Sequence, residues 1–217
     1  MLEGIKNIIL KEKPVLLTEK IENILSWKEL ENLINLRPFV NSSRFKTVGE
    51  HPYSWENQAW LTDVNAFPPS LLKDVINERL CLIIDASKVN EKLNQICMEL
   101  EEYFKSGAAD AHLYFTLSDT VKDGFGIHFD QAHNLIVQVE GETKFRAWDI
   151  WSVKNGNVDS LPQEPIIDTI LKPGDAAFIP RFYYHEATSI TKRWKMTSVS
   201  AFCDVTNLQR HSERRPL

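Results

Sequence analysis

The chain has 217 residues, 43% of them hydrophobic and 10% aromatic, which is ample for the buried core of one domain. Its 25 Lys and Arg against 30 Asp and Glu leave a net charge of −5, so no overall basic field exists to draw in a phosphate backbone, and nucleic acid is not expected as a direct partner. Cys81, Cys97 and Cys203 are scattered without a C-x-x-C pair, which speaks against a disulfide framework or a zinc knuckle; no run approaches the ~18 apolar residues of a membrane span, and the start lacks a cationic and apolar leader pattern. A cytoplasmic protein with no membrane partner is the expectation.

No internal repeat or low-complexity linker divides the chain, so residues 1–217 are read as a single domain. Residues 1–106 form a mixed α/β part that packs on a barrel. Pro14 to Leu17 reads as a strand and Trp27 to Leu36 as a helix. A second helix starts at Pro68-Pro69-Ser70, where Pro is tolerated in a first turn, and runs through Leu71, Leu72, Val75 and Ile76. The apolar run Leu80 to Ile84 reads as a strand. Val89 to Phe104 gives the clearest helix, because Val89, Leu93, Ile96, Leu100 and Tyr103 recur at spacings of three and four. From residue 107 to 206 short alternating runs are punctuated by Gly, Pro, Asn and Asp, the pattern of an antiparallel barrel. Strands are expected near 111–117, 125–130, 133–140, 143–150, 166–171, 175–180, 182–187 and 196–203. Asn155 to Pro165 reads as the loop between the two halves, and 207–217 as a tail. The fold class is therefore mainly β with flanking helices, and eight strands suit a jelly roll or cupin-like barrel.

Within Gly126-Ile127-His128-Phe129-Asp130, His128 and Asp130 stand two apart on an expected strand, so their side chains leave the same face. Much later, Pro173-Gly174-Asp175 makes a turn, Ala176 to Ile179 an apolar strand, and Pro180 redirects the chain just before His185. Two histidines and one carboxylate are the set that holds Fe(II) on one side and leaves adjacent coordination positions open. A lone barrel histidine is usually structural; it is the combination of His128, Asp130 and His185, with Gly124 and Gly126 beside them, that favours a metal.

Here a family resemblance can be stated. His128-x-Asp130, then Asn134, Gln138-Val139-Glu140-Gly141 and Lys144, then Pro173-Gly174-Asp175, Ile179-Pro180 and His185 together resemble JmjC/cupin-like hydroxylases over roughly residues 110 to 203. The resemblance implies a double-stranded β-helix in which His128, Asp130 and His185 ligate Fe(II) and act catalytically. It also implies 2-oxoglutarate as cosubstrate, with O2, and release of succinate and CO2. Lys144 occupies the position of a lysine that pairs with the distal carboxylate of 2-oxoglutarate, a pairing that a desolvated carboxylate requires. The turn before it is one residue longer than usual, and Arg146 is the next choice for the same role. Tyr114 and Thr116 on the first barrel strand, Asn134, and Ser200 on the last strand are further cosubstrate contacts implied by the likeness.

Other features read more plainly. His133 follows His128 by five positions, so a regular strand would turn it to the opposite face, and it is taken as structural or exposed. His51, His112 and His211 lack ligand-like neighbours. The aromatic residues from His51 to Trp60, and Trp148 with Trp151, are read as core. Arg193 and Lys195 are read as solvated.

The activity implied is a 2-oxoglutarate-dependent dioxygenase that hydroxylates a protein, peptide or small-molecule substrate, or demethylates one if the oxidised carbon is an N-methyl group. The alternative is a non-catalytic cupin-type module that binds a metal or small ligand; a non-oxidative cupin enzyme is a third reading. An inward Lys144 would favour the oxygenase and a solvent-facing one the binding module. Substrate identity and oligomeric state leave no mark in the sequence.

Overall fold

A computed structural model describes residues 13–26, 28–30, 45–47, 81–83, 86–88, 90–104, 108–115, 125–151, 161, 164–190 and 199–205. Among these residues are ten strands and one long helix: β1 (Val15–Leu16), β2 (Phe45–Thr47), β3 (Cys81–Ile83), α1 (Glu91–Phe104), β4 (Ala109–Phe115), β5 (His133–Glu140), β6 (Glu142–Trp151), β7 (Ile167–Leu171), β8 (Ala176–Ile179), β9 (Tyr183–Ile190) and β10 (Val199–Val205). They pair into a seven-stranded sheet in the order β1-β8-β5-β10-β4-β3-β2 and a three-stranded sheet in the order β7-β6-β9, with every pairing antiparallel.

Period-two alternation assigns each strand's faces. On β4, Ala111, Leu113 and Phe115 are buried beneath α1, while Asp110, His112 and Tyr114 point the other way. On β5, Leu135 and Val137 join that helix-side core, and on β8 Ala176 and Phe178 do the same. Ile136, Ala177 and Ile179 turn instead toward Phe145, Ala147, Ile167 and Leu171 of the small sheet, forming a second core between the sheets. Strands β5 and β8 are thus buried on both faces, which is why their central residues read as nearly unbroken apolar runs.

The helix expected from Val89 begins at Glu91, because the side chain of Asn90 accepts the Leu93 amide at 2.9 Å and caps the first turn. The Asn90 amide group also donates to the Ile24 carbonyl at 3.2 Å, tying α1 to the segment that follows β1. The inward stripe is Leu93, Ile96, Cys97 and Leu100. In the earlier helix only 28–30 are described; there Ser26 and Glu29 form a reciprocal capping box, with the Ser26 amide donating to Glu29 at 2.6 Å and the Glu29 amide to Ser26 Oγ at 3.3 Å.

Most expected strands are present with ends moved by a few residues. The one expected at 125–130 is not: only His128 makes a ladder contact there, an isolated antiparallel bridge to His185. Gly126 is the reason, since its φ of +64° takes the backbone out of extended geometry just before the bridge. A Cβ at Gly126 would meet nothing within 4 Å, so its constraint is purely conformational. At Gly174, with φ +87°, the added atom would also press on Lys20 at 3.3 Å, so the Pro173-Gly174 turn packs closely against the N-terminal segment. Strand β2 has no counterpart among the expected elements. The helix expected from Pro68, the 51–60 aromatic cluster, most of the 155–165 loop and the 207–217 tail lie outside the described residues. No helix among the described residues is long and apolar enough to cross a membrane.

Candidate metal centre

His128 and His185 meet through their backbones before their side chains. The His128 amide donates to the His185 carbonyl at 3.0 Å and the His185 amide returns a bond to the His128 carbonyl at 2.8 Å. This reciprocal pair sets the two imidazoles side by side, with ring centroids 4.4 Å apart. Asp130 is fixed by a second connection, as the Phe182 amide donates to its backbone carbonyl at 2.7 Å. Phe182 reaches that carbonyl with φ +69°, a left-handed conformation that an aromatic residue adopts at a cost.

Both imidazoles are oriented by the same device. Nδ1 of His128 lies 2.9 Å from the Gly126 carbonyl and Nδ1 of His185 lies 3.2 Å from the Tyr183 carbonyl, in each case two residues back. A carbonyl only accepts, so Nδ1 carries the proton in each ring, and in the neutral imidazole Nε2 keeps a bare lone pair. Asp130 Oδ2 stands 3.4 Å from Nε2 of His185 and 4.0 Å from Nε2 of His128, and the ligand atoms of all three residues lie within 4.8 Å of one another. Two bonds of about 2.1 Å, usual for imidazole and carboxylate on a first-row ion, span up to about 4.2 Å, so one ion can join this carboxylate to either nitrogen.

Electrostatics agree with that use. His185 is fully buried, yet its Nε2 has no hydrogen-bond partner, a costly state for a polar atom unless something else takes the lone pair. Burial, followed by the neighbouring His185, lowers the His128 pKa below the usual imidazole value, against the Gly126 carbonyl, Asp130 and Glu186. His128 is therefore neutral and ready to ligate at neutral pH. For Asp130 burial acts upward, but the neighbouring His185 and His128 and the Asn134 amide outweigh it, and the carboxyl is held below its usual value. A metal fits this set: two neutral nitrogens, one anionic oxygen, and a side left open, with Asp130 40% exposed at its side chain.

A protein-family model described as "JmjC domain" matches residues 83–209, more than half of the chain. The chain belongs to the JmjC family. The double-stranded β-helix expected of JmjC proteins is the architecture of its two sheets. Among curated relatives, the bifunctional lysine-specific demethylase and histidyl-hydroxylase NO66 of Drosophila persimilis is 30% identical over 173 residues, covering 76% of this chain and 24% of that protein. Its counterpart in Drosophila pseudoobscura pseudoobscura is 29% identical over 173 residues, with 76% and 17% covered. Among solved structures, the ribosomal oxygenase YcfD of Escherichia coli in complex with cobalt and 2-oxoglutarate aligns with a TM-score of 0.59 at 20% identity, over 91% of this chain and 49% of that one. The JmjC chain thus spans about a quarter or less of these curated relatives and about half of the solved structure.

The cosubstrate contacts expected of a JmjC protein fare unevenly. Lys144 does not face the barrel interior. On β6, Thr143, Phe145 and Ala147 are buried in alternation, followed by buried Trp148, and the Phe145 ring lies 6.3 Å from that of His185; Lys144 and Arg146 fall between the alternating residues and point outward. Lys144 pairs there with Asp168, and Arg146 with Glu186, its guanidinium also lying 5.4 Å over the Trp148 ring. With only Gly141 between β5 and β6, alternation along β6 turns Thr143 inward and leaves Lys144 and Arg146 on the other face. Neither candidate cation points toward the His128, Asp130 and His185 cluster, and Thr143 holds the inward position instead.

Asn134 is buried and donates through its side-chain amide to Asp130 Oδ2, so it contacts a candidate metal ligand. Tyr114 stands on the interior face of β4, its ring 5.9 Å from Phe125, which in turn lies 5.5 Å from His128. Ser200 takes the register position between Tyr114 and Gln138. Thr116 lies outside the described residues. His133 turns away from the centre and stacks on Phe104 at 5.0 Å and Phe178 at 6.0 Å, as its odd spacing predicts. Sequence reasoning missed the orienting carbonyls of Gly126 and Tyr183, which as backbone atoms leave no residue signature.

Proposed function

We propose that this chain is an Fe(II)- and 2-oxoglutarate-dependent oxygenase that hydroxylates, or oxidatively demethylates, a side chain of a protein or peptide. The observation that carries the reading is the convergence of two bare imidazole Nε2 atoms and one carboxylate oxygen, with both Nδ1 atoms committed to backbone carbonyls. Fe(II) with 2-oxoglutarate and O2 supplies the oxidising chemistry, releasing succinate and CO2. The protein's share is to hold the ligands in one tautomer and geometry, keep one side of the ion open, and exclude water with the apolar core around Phe145 and Ile179.

A protein substrate is favoured by the relatives, which are named for lysine demethylation, histidyl hydroxylation and ribosomal oxygenation. A cytoplasmic location accords with the scattered cysteines.

The second reading is a metal-binding cupin module without turnover, and the outward Lys144 favours it, because no cation from β6 then meets a distal carboxylate. One experiment separates them: anaerobic titration of the Fe(II)-loaded chain with 2-oxoglutarate, following the visible charge-transfer band of the chelate. A band present in wild type and lost in Asp130→Ala supports the oxygenase; an iron-loaded wild type without a band assigns the chain to the binding module.

A further inference from the structure

We propose that Asn134 is a positioning residue for the metal centre, holding Asp130 through one end of its amide and offering an acceptor to the ion's other ligands through the opposite end. The inference rests on the metal-binding reading above, and it departs from a direct role for Asn134 on the cosubstrate.

Asn134 begins the buried stretch of β5, where its register partners are Ile179 on β8 and Asp204 on β10, so its backbone is gripped from both sides in the middle of the large sheet. Its side chain is 1% exposed. Asp130 Oδ2 accepts the Asn134 amide, and this is the same oxygen that stands 3.4 Å and 4.0 Å from the two Nε2 atoms. The bond therefore fixes which carboxylate oxygen faces the imidazoles. Asp130 needs such a support, since it follows a segment with only one ladder contact and its side chain is 40% exposed, whereas His185 is already held in a regular strand.

The orientation of the amide follows from chemistry. An ionised carboxylate has no proton to donate, so the NH2 end must face it and Asn134 Oδ1 must point elsewhere. That oxygen is buried and has no hydrogen-bond partner. Nε2 of His185 is left in the same state, and the two share Asp130 as a neighbour. A pair of orphaned polar atoms around one carboxylate marks a place completed by binding: the ion takes the Nε2 lone pair, and Asn134 Oδ1 accepts from a proton-bearing ligand, such as water, that arrives with the ion. Hydrogen-bonded supports of this kind commonly change metal affinity about 10- to 100-fold when removed.

The test uses Co(II) as a redox-inert probe on the full chain, measuring its dissociation constant, its visible d–d spectrum and the melting temperature of the metal-free protein. Asn134→Ala removes both ends of the amide, and Asn134→Leu does so at nearly constant volume, which guards against loss of the fold. We expect both variants to bind Co(II) at least 10-fold more weakly than wild type with a shifted d–d band, while the metal-free melting temperature of Asn134→Leu is unchanged or higher, because a buried orphan acceptor has gone. A purely structural Asn134 gives the reverse, a lowered metal-free melting temperature with affinity within 3-fold of wild type and an unaltered spectrum, and would overturn the proposal. Wild type that fails to bind Co(II) where Asp130→Ala also fails removes the metal reading itself, a result distinct from equal binding by wild type and the Asn134 variants.

Discussion

At Asp130 and Lys144 two charged side chains look equally eligible in the sequence, and the structure gives them opposite roles. Asp130 faces two imidazoles and an amide; Lys144 faces outward to Asp168, with both partners well exposed. Asp130→Ala should therefore weaken Co(II) or Fe(II) binding by at least 100-fold in a direct titration. Lys144→Ala should leave the affinity for 2-oxoglutarate within about 2-fold in the charge-transfer assay and change stability by no more than ~1 kcal/mol, as exposed ion pairs do. A much larger loss of cosubstrate affinity in Lys144→Ala would mean that the side chain swings inward on binding. Gly126→Ala is the backbone counterpart: φ +64° costs an L-residue roughly 1–2 kcal/mol, and no added contact offsets it. The cluster of His128, Asp130 and His185 was legible because chemistry restricts which residue types can hold Fe(II). The cosubstrate contacts were not, since they depend on strand phase, which on β6 turns Lys144 and Arg146 outward.

Elements were readable in proportion to how regularly they bury their side chains. The helix α1 shows a stripe of Leu93, Ile96, Cys97 and Leu100, and β4 to β10 show alternation or apolar runs, so both types surface in the pattern of residues. The 125–130 segment misled because its alternation of Gly126, His128 and Asp130 serves a metal centre rather than a ladder, and the glycine breaks the extended geometry that alternation presumes. Leu100→Ala, which empties a fully buried site between α1 and the large sheet, should cost about 2–5 kcal/mol in denaturant unfolding. Ser26→Ala removes the capping box and should cost ~1 kcal/mol. The same box has a pH signature. Backbone and side-chain hydrogen bonds from Ser26 hold the Glu29 carboxyl below its ordinary value of 4.5, so its contribution is complete above that pH and is lost as pH falls through the lower folded value. In Ser26→Ala the difference in stability from wild type should shrink below pH 4.5, which parallel urea titrations across that range would register.

At the scale of the whole molecule, an ion held by His128, Asp130 and His185 would add a link between two sheets already joined by their shared core. His185 sits on β9 of the small sheet, and Asp130 leads directly into β5 of the large one. Ion binding at 100 times the dissociation constant should thus raise global stability by about 2.7 kcal/mol, seen as a rise in melting temperature with Co(II) that Asp130→Ala abolishes. Two sheets and a helix-covered face could be inferred from composition and periodicity, but the sheet order could not, because strands adjacent in space, such as β5 and β10, are far apart in sequence and nothing local encodes their pairing. The reciprocal amide bonds between His128 and His185 give this seam its own clock. In deuterated solvent those two amides exchange only when the barrel mouth parts. Without metal they should exchange at a rate set by that local opening, and with it their exchange should slow toward that of the β5 core. The pair thereby turns occupancy of the centre into a lifetime that can be read one residue at a time.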